Sequence, residues 1–485
     1  METTIIHEYE QYPHDREFSG NSIINLKVKE LEKERDPVRI IAVIDISGSM
    51  KRGKLDLVKE TLRFLLTQLE EKDQFGIVTY NVETTIFKCQ KLNDLVKQQC
   101  LLFINSIQAS GKTDIGKGLQ IGLVQMMKAR TEYSYLPDSI ESILLFTDGK
   151  SNVGIPESII PNILAKQKQP HKTMDQWNEH LQKSKFKKLA KSSSLRSSKI
   201  REIRSPPSNM NYFNEETKKY IEDMFEKHGV TCNTFGMGIE HNANLLKKLA
   251  SRGNGIYYYI GSLDDIGIQF VSCVSNLMNV ALKRCKCIIQ PLVPDIIEID
   301  DIRYGKAKAT TIVGHKGKQI EMNNLVGSSS LDILVTYKAK KVDAINTKSP
   351  LFSVQIGGIS VEEKKMVNFP KMSYIHRETT TKKQIPNVQV SEQLNRFMVA
   401  DAIQQAIRES TKGNYDKAGN IINQVKQSVK HSSAAKESEY LLDGIHSNDF
   451  GSNFKNNRNK VISQNMALYQ QQCVSTAAKP KFRSK

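Results

Sequence analysis

Asp45-Ile-Ser47-Gly-Ser49 closes an apolar run over residues 39–44 and sets one carboxylate and two hydroxyls on a tight turn. Carboxylate and hydroxyl oxygens are hard ligands, so the turn suits Mg²⁺ (or Mn²⁺) better than Zn²⁺. Two further segments carry the same kind of donor: Gly111-Lys-Thr113-Asp114-Ile and Leu144-Leu-Phe-Thr147-Asp148-Gly149. Taken singly, each could simply cap a helix, since Asp and Ser do so readily. Taken together, Asp45 and Asp148 with Ser47, Ser49 and Thr113 offer two carboxylates and three hydroxyls, which is a metal-ligand set.

Something must bring these distant residues together. From residue 39 strand-like and helix-like patterns alternate, the mark of a parallel sheet covered on both faces. Residues 39–45, 74–80, 142–146, 230–236 and 255–260 read as strands, and 84–88 as a short antiparallel one. Leu55, Val58, Leu62, Leu65, Leu66 and Leu69 recur at helical spacing between the first two. The expected fold is α/β, a doubly wound, mostly parallel six-stranded sheet of Rossmann-like kind. In such sheets ligands bind beyond the carboxyl ends of the strands, near the point where strand order reverses. Asp45 and Asp148 each follow a strand, and Thr113 precedes a helix. Ser47, Ser49 and Thr113 are therefore expected as direct ligands, with Asp45 and Asp148 acting largely through water.

In this order the three segments resemble the metal-ion-dependent adhesion site (MIDAS) of von Willebrand factor type A domains. Thr234-Phe-Gly-Met-Gly238 and Gly255-Ile-Tyr-Tyr-Tyr259 resemble that family's last strands, so the likeness covers about 39–280. It implies a non-enzymatic protein-interaction module or scaffold whose metal takes a last ligand from an Asp or Glu of a protein partner. Asp114 stands where the family often has Asn; it either tightens the metal or caps the next helix. The segments that follow resemble the accessory region of a eukaryotic intracellular group that includes relatives of ubiquitin ligases. No RING, U-box or intein nucleophile is visible, so ligase activity is not implied.

Residues 1–37 read as an N-terminal extension with a possible strand of an accessory sheet, and 38–282 as the type A domain. Residues 283–385 break into short strand-like runs expected to form a β-sandwich, with Gly357-Gly358 as a turn. Residues 386–432 read as a helical hairpin, with Leu394, Phe397, Met398, Ala402, Ala406 and Ile407 on one face. Residues 433–485 read as a mostly disordered, polar tail.

The net charge of +18 is concentrated. Residues 166–204 hold twelve Lys and Arg against three Asp and Glu, half of the excess, within a Lys/Ser-rich insert at about 167–211. Such a stretch lacks the apolar residues to order itself. It is a solvated loop, a patch for an anionic partner (RNA, acidic protein or lipid head groups), or a phosphorylation-controlled switch. Lys183, Lys185, Lys187 and Lys188 are its candidate partner-binding residues. In that alternative the metal site is merely structural. Trp177 and Phe186 are too few to stack bases, so a nucleic-acid partner is not expected. Enzymes find no support: Asp45-Ile-Ser47 lacks a second aspartate for phosphoryl transfer, and Ser106 stands where a phosphate-binding loop needs Gly. His241 is expected at the surface or as a helix cap. Seven sparse cysteines fit a reducing, cytoplasmic setting. No segment is long and apolar enough to span a membrane.

Overall fold

The computed structural model describes residues 1–32, 34–51, 53–133, 139–148, 229–238, 241–261, 263–305, 307–312, 316–379, 384–450 and 452–473. The basic insert, with Lys183, Lys185, Lys187 and Lys188, lies outside the described residues.

The chain begins inside a β-sandwich. Strands β1 (Glu2–His7), β2 (Gln11–Pro13) and β3 (Phe18–Lys27) precede any part of the parallel sheet. The chain then enters that sheet with β4 (Val38–Asp45), α1 (Lys54–Gln68), β5 (Gln74–Tyr80), β6 (Thr84–Lys91), α2 (Asp94–Ser106), α3 (Ile115–Glu132) and β7 (Ile140–Thr147). The described residues continue it with β8 (Thr231–Met237), α4 (Ala243–Arg252), β9 (Tyr257–Ile260) and α5 (Leu263–Met278). Its strand order is β6-β5-β4-β7-β8-β9, all parallel except β6. The order reverses at β4, which has β5 on one side and β7 on the other.

Every residue of β4 is buried, because helices cover both faces. Alternation divides them: Ile40, Ala42 and Ile44 share a buried cluster with Val58, Leu62 and Leu65 of α1, whereas Ile41 and Val43 pack under α3.

The chain then returns to the sandwich through β10 (Val280–Pro291), β11 (Ile297–Tyr304), β12 (Ala307–Lys308), β13 (Thr310–Thr311), β14 (Lys318–Val326), β15 (Ser330–Ala339), β16 (Asn346–Ser360) and β17 (Met366–Glu378). One sheet runs β1-β3-β15-β11-β12 and the other β13-β14-β10-β16-β17-β2. The N-terminal segment is thus more than an extension: β3 lies between β1 and β15, paired along its length. The parallel-sheet domain is inserted into the sandwich, and buried Asp36, just before β4, binds Lys283 Nζ (3.0 Å) of the returning strand and Lys364 Nζ.

Gly357-Gly358 is not a turn. Both residues lie within β16, where a Cβ on Gly358 would stand 2.6 Å from Cys285 Sγ. Small size is needed for close strand approach there, not for reversal of the chain.

Helices α6 (Val388–Thr411) and α7 (Tyr415–Lys430) form the expected hairpin. The segment beyond them departs from the expected disordered tail. Helix α8 (Ser452–Cys473) packs back, with Phe454, Val461 and Ile462 buried in the same cluster as Val399, Ile403 and Ile422. A few well-spaced apolar residues suffice, because the hairpin and the edge of the parallel sheet already offer an apolar surface.

Candidate metal centre

The crevice lies where β4 and β7 part, at their carboxyl ends. Asp45 is the last residue of β4 and is fully buried. Its Oδ1 accepts from the Ser47 backbone N–H (2.8 Å), bending the chain into the one-turn 3₁₀ helix Gly48–Met50. Its Oδ2 accepts from Thr147 Oγ1 (2.7 Å) at the end of β7. Ser47 Oγ lies 3.0 Å from Ser49 Oγ, and Ser49 Oγ donates to Asp148 Oδ1 at 2.7 Å. One continuous chain of hydrogen-bonded groups therefore runs Asp45–Ser47–Ser49–Asp148.

The loop bearing Thr113 is stitched to this turn by backbone hydrogen bonds. Ser110 N–H donates to Ile46 O (2.7 Å), and Gly48 N–H donates to Gly111 O (3.0 Å). Gly111 has φ +78°, a left-handed conformation that glycine adopts without strain. Thr113, two residues on, is 2% exposed. Asp114 is the N-cap of α3 and accepts from the Lys117 N–H at 3.0 Å, so it caps that helix.

Two carboxylates in one buried crevice repel. Burial pushes the Asp45 carboxyl up to about 6, and the Asp148 charge adds to the rise, while hydrogen bonds from Ser47 and Thr147 oppose it. Among the described residues the Lys54 ammonium, at the start of α1, offsets this charge by pairing with Asp148 Oδ2. Sequence reasoning missed both Lys54 and Thr147. The signal for Thr147 was its place beside Asp148; nothing in the spacing marked Lys54.

His241 overturns an expectation. It is neither exposed nor a cap, since Asn242 caps α4 by accepting from the Leu245 N–H. The imidazole is 2% exposed, with Nδ1 at 2.7 Å from Gly238 O and Nε2 at 2.7 Å from the Tyr257 hydroxyl. Its ring leaves no room for a side chain on Gly236, where a Cβ would lie 2.4 Å from Nε2. Burial lowers its pKa to about 4.

The donor set fits a hard divalent cation. It consists of carboxylate and hydroxyl oxygens, and a dication would compensate both carboxylates at once. Among the described residues no three His, Cys, Asp or Glu side chains gather into a metal cluster. The crevice's candidate ligands are instead the carboxylates of Asp45 and Asp148 and the hydroxyls of Ser47, Ser49 and Thr113.

Residues 40–270 match the family model described as von Willebrand factor type A domain. The chain is 32% identical over 131 residues to human inter-alpha-trypsin inhibitor heavy chain H3, a stretch covering 26% of this chain and 15% of that protein. It is 26% identical over 289 residues to Escherichia coli K12 YfbK, covering 58% of this chain and 39% of that one. The matches thus span well under half the length of either relative. Among solved structures, a von Willebrand factor type A protein from Catenulispora acidiphila superposes with a TM-score of 0.59 over 91% of this chain and 89% of its own, at 12% identity. At that identity the likeness is one of fold, and it extends beyond the parallel sheet.

Proposed function

We propose that the von Willebrand factor type A domain at residues 40–270 gives this chain a cation-dependent grip on a protein partner. The observation that carries this reading is the continuous hydrogen-bonded chain from Asp45 through Ser47 and Ser49 to Asp148, at the switch point of the sheet. Mg²⁺ or Mn²⁺ would be held by Ser47, Ser49 and Thr113, with Asp45 and Asp148 supplying charge. With few anionic ligands in direct contact the ion stays electrophilic and accepts a carboxylate oxygen from an Asp or Glu of the partner. The protein acts in this reading as a scaffold, not as an enzyme. Six described cysteines, all buried as free thiols, are consistent with a reducing setting as part of the same proposal.

The test has two arms. Mn²⁺ binding, read from the loss of the free-ion electron paramagnetic resonance signal, is expected for the wild type. Ser47→Ala should weaken it by roughly tenfold or more, the loss of one direct ligand. Peptides selected on the wild type in Mg²⁺ should carry an Asp or Glu and be released by EDTA. Selected binders that ignore EDTA but detach in high salt would favour the basic insert as the binding element instead.

A further inference from the structure

Lys54 is an odd residue for its place. It opens α1, so its positive charge stands at the positive end of the helix dipole, where anions are favoured and cations are not. Gly53 before it is left-handed, φ +88°, and provides no side-chain cap, and Asp56 is the acidic residue of that first turn. The side chain reaches across the crevice to Asp148 Oδ2, whose companion oxygen already accepts from Ser49. Asp148 is buried, whereas the Lys54 side chain is one-third exposed, at 33%. Its path runs beside Gly238, φ +74°, where a Cβ would stand 3.5 Å from Lys54 Cε and 3.6 Å from Nζ.

We propose that Lys54 is an internal competitor for the divalent cation, holding Asp148 when the crevice has no metal and leaving when metal enters. The proposal rests on the metal-binding reading given above. The carboxylate cannot serve both cations equally, because an ammonium and a dication a few ångströms apart repel strongly in a partly buried site. An ammonium is a compact point charge with three donors on a flexible stem, so it can let go and swing toward water without disturbing the helix. The partial exposure of Lys54 supplies that exit. The consequence is twofold. The metal-free crevice keeps a compensated charge and stays folded, and the affinity for metal is set lower than the oxygen donors alone would make it.

The experiment compares full-length wild type with Lys54→Met and Lys54→Arg, following free Mn²⁺ by electron paramagnetic resonance and thermal unfolding in EDTA and in saturating Mg²⁺. Lys54→Met should bind Mn²⁺ roughly tenfold more tightly, because the competing charge is gone. Its unfolding temperature should fall in EDTA, where Asp148 loses its only described cationic partner, and recover in Mg²⁺. Should Lys54→Met fail to fold, Lys54→Arg decides, since a guanidinium fork holds a carboxylate more firmly and should weaken Mn²⁺ binding. Unchanged Mn²⁺ affinity in the folded variants overturns the role of Lys54 and leaves the metal reading standing. Absence of Mn²⁺ binding to wild type and variants alike overturns both.

Discussion

Beneath the crevice two buried groups titrate in opposite senses. An unfolded histidine takes a proton below about 6.5, but His241 in the fold resists protonation until about 4 because burial penalises its charge. Between those values the unfolded chain binds more protons, so stability falls as pH falls. His7, also lowered to about 4 by burial, acts the same way. Asp45 opposes them: its folded pKa of about 6 exceeds the ordinary 3.8, so the native state binds the extra proton and gains stability as pH falls through that window. Two histidines outweigh one aspartate, and net acid destabilisation is expected from about pH 6.5 to 4. His241 alone accounts for about 3 kcal/mol of it. Urea denaturation at a series of pH values checks this with His241→Gln, which should be less stable at pH 7 yet show a shallower decline toward pH 4. An unaltered slope would mean that His241 is not the group that titrates.

At the scale of elements, the crevice depends on how α3 is started and seated. Asp114 caps its first turn, and the helix then presses Gly118 against the ring of Tyr80, where a Cβ would meet Cδ1 at 2.4 Å. Gly122 does the same against Val43 Cγ2 at 2.5 Å. These glycines let the helix backbone lie directly on β4 and β5, which fixes the loop carrying Thr113 just before it. Asp114→Ala should cost about 1 kcal/mol in chemical denaturation, as for other lost N-caps, and leave Mn²⁺ affinity unchanged. A variant of wild-type stability with altered Mn²⁺ affinity would instead make Asp114 part of the metal's charge balance.

At the scale of the whole molecule, the parallel sheet and the C-terminal helices share one core. Ile41 and Val43 of β4 belong to the same buried cluster as Val399, Ile403, Phe454 and Ile462. Helix α6 also reaches the sandwich, where Arg303 holds Asp401 in a two-point ion pair (2.9 and 2.7 Å) and Gln393 Nε2 donates to Asp332 Oδ2 at 2.7 Å. The helices therefore brace both halves instead of trailing from them. Phe454, 2% exposed, should cost about 3–5 kcal/mol when cut to Ala. Calorimetry should show that variant's main transition moved down as one unit. A separate early transition with the main one unmoved would show that the helices melt independently.

The residues proposed to hold the metal and the α/β alternation could be read from the sequence, because strand and helix periods and turn chemistry are local properties. A strand ending in Asp-x-Ser-x-Ser says what it can ligate wherever it sits. The hairpin α6–α7 was legible for the same reason, its apolar faces recurring at helical spacing. Other features required long-range packing. Gly357-Gly358 has the composition of a turn, and only the approach of Cys285 makes it part of a strand. The polar segment ending in α8 orders itself on a surface built by residues far upstream. His241 is buried because Gly236 and Tyr257 close around it. Lys54 meets Asp148 across 94 positions of chain, and no local pattern encodes that meeting. The sequence by itself determined the chemistry on offer; tertiary structure decided which charges must share one buried crevice, since burial and proximity belong to the folded chain and not to any segment of it.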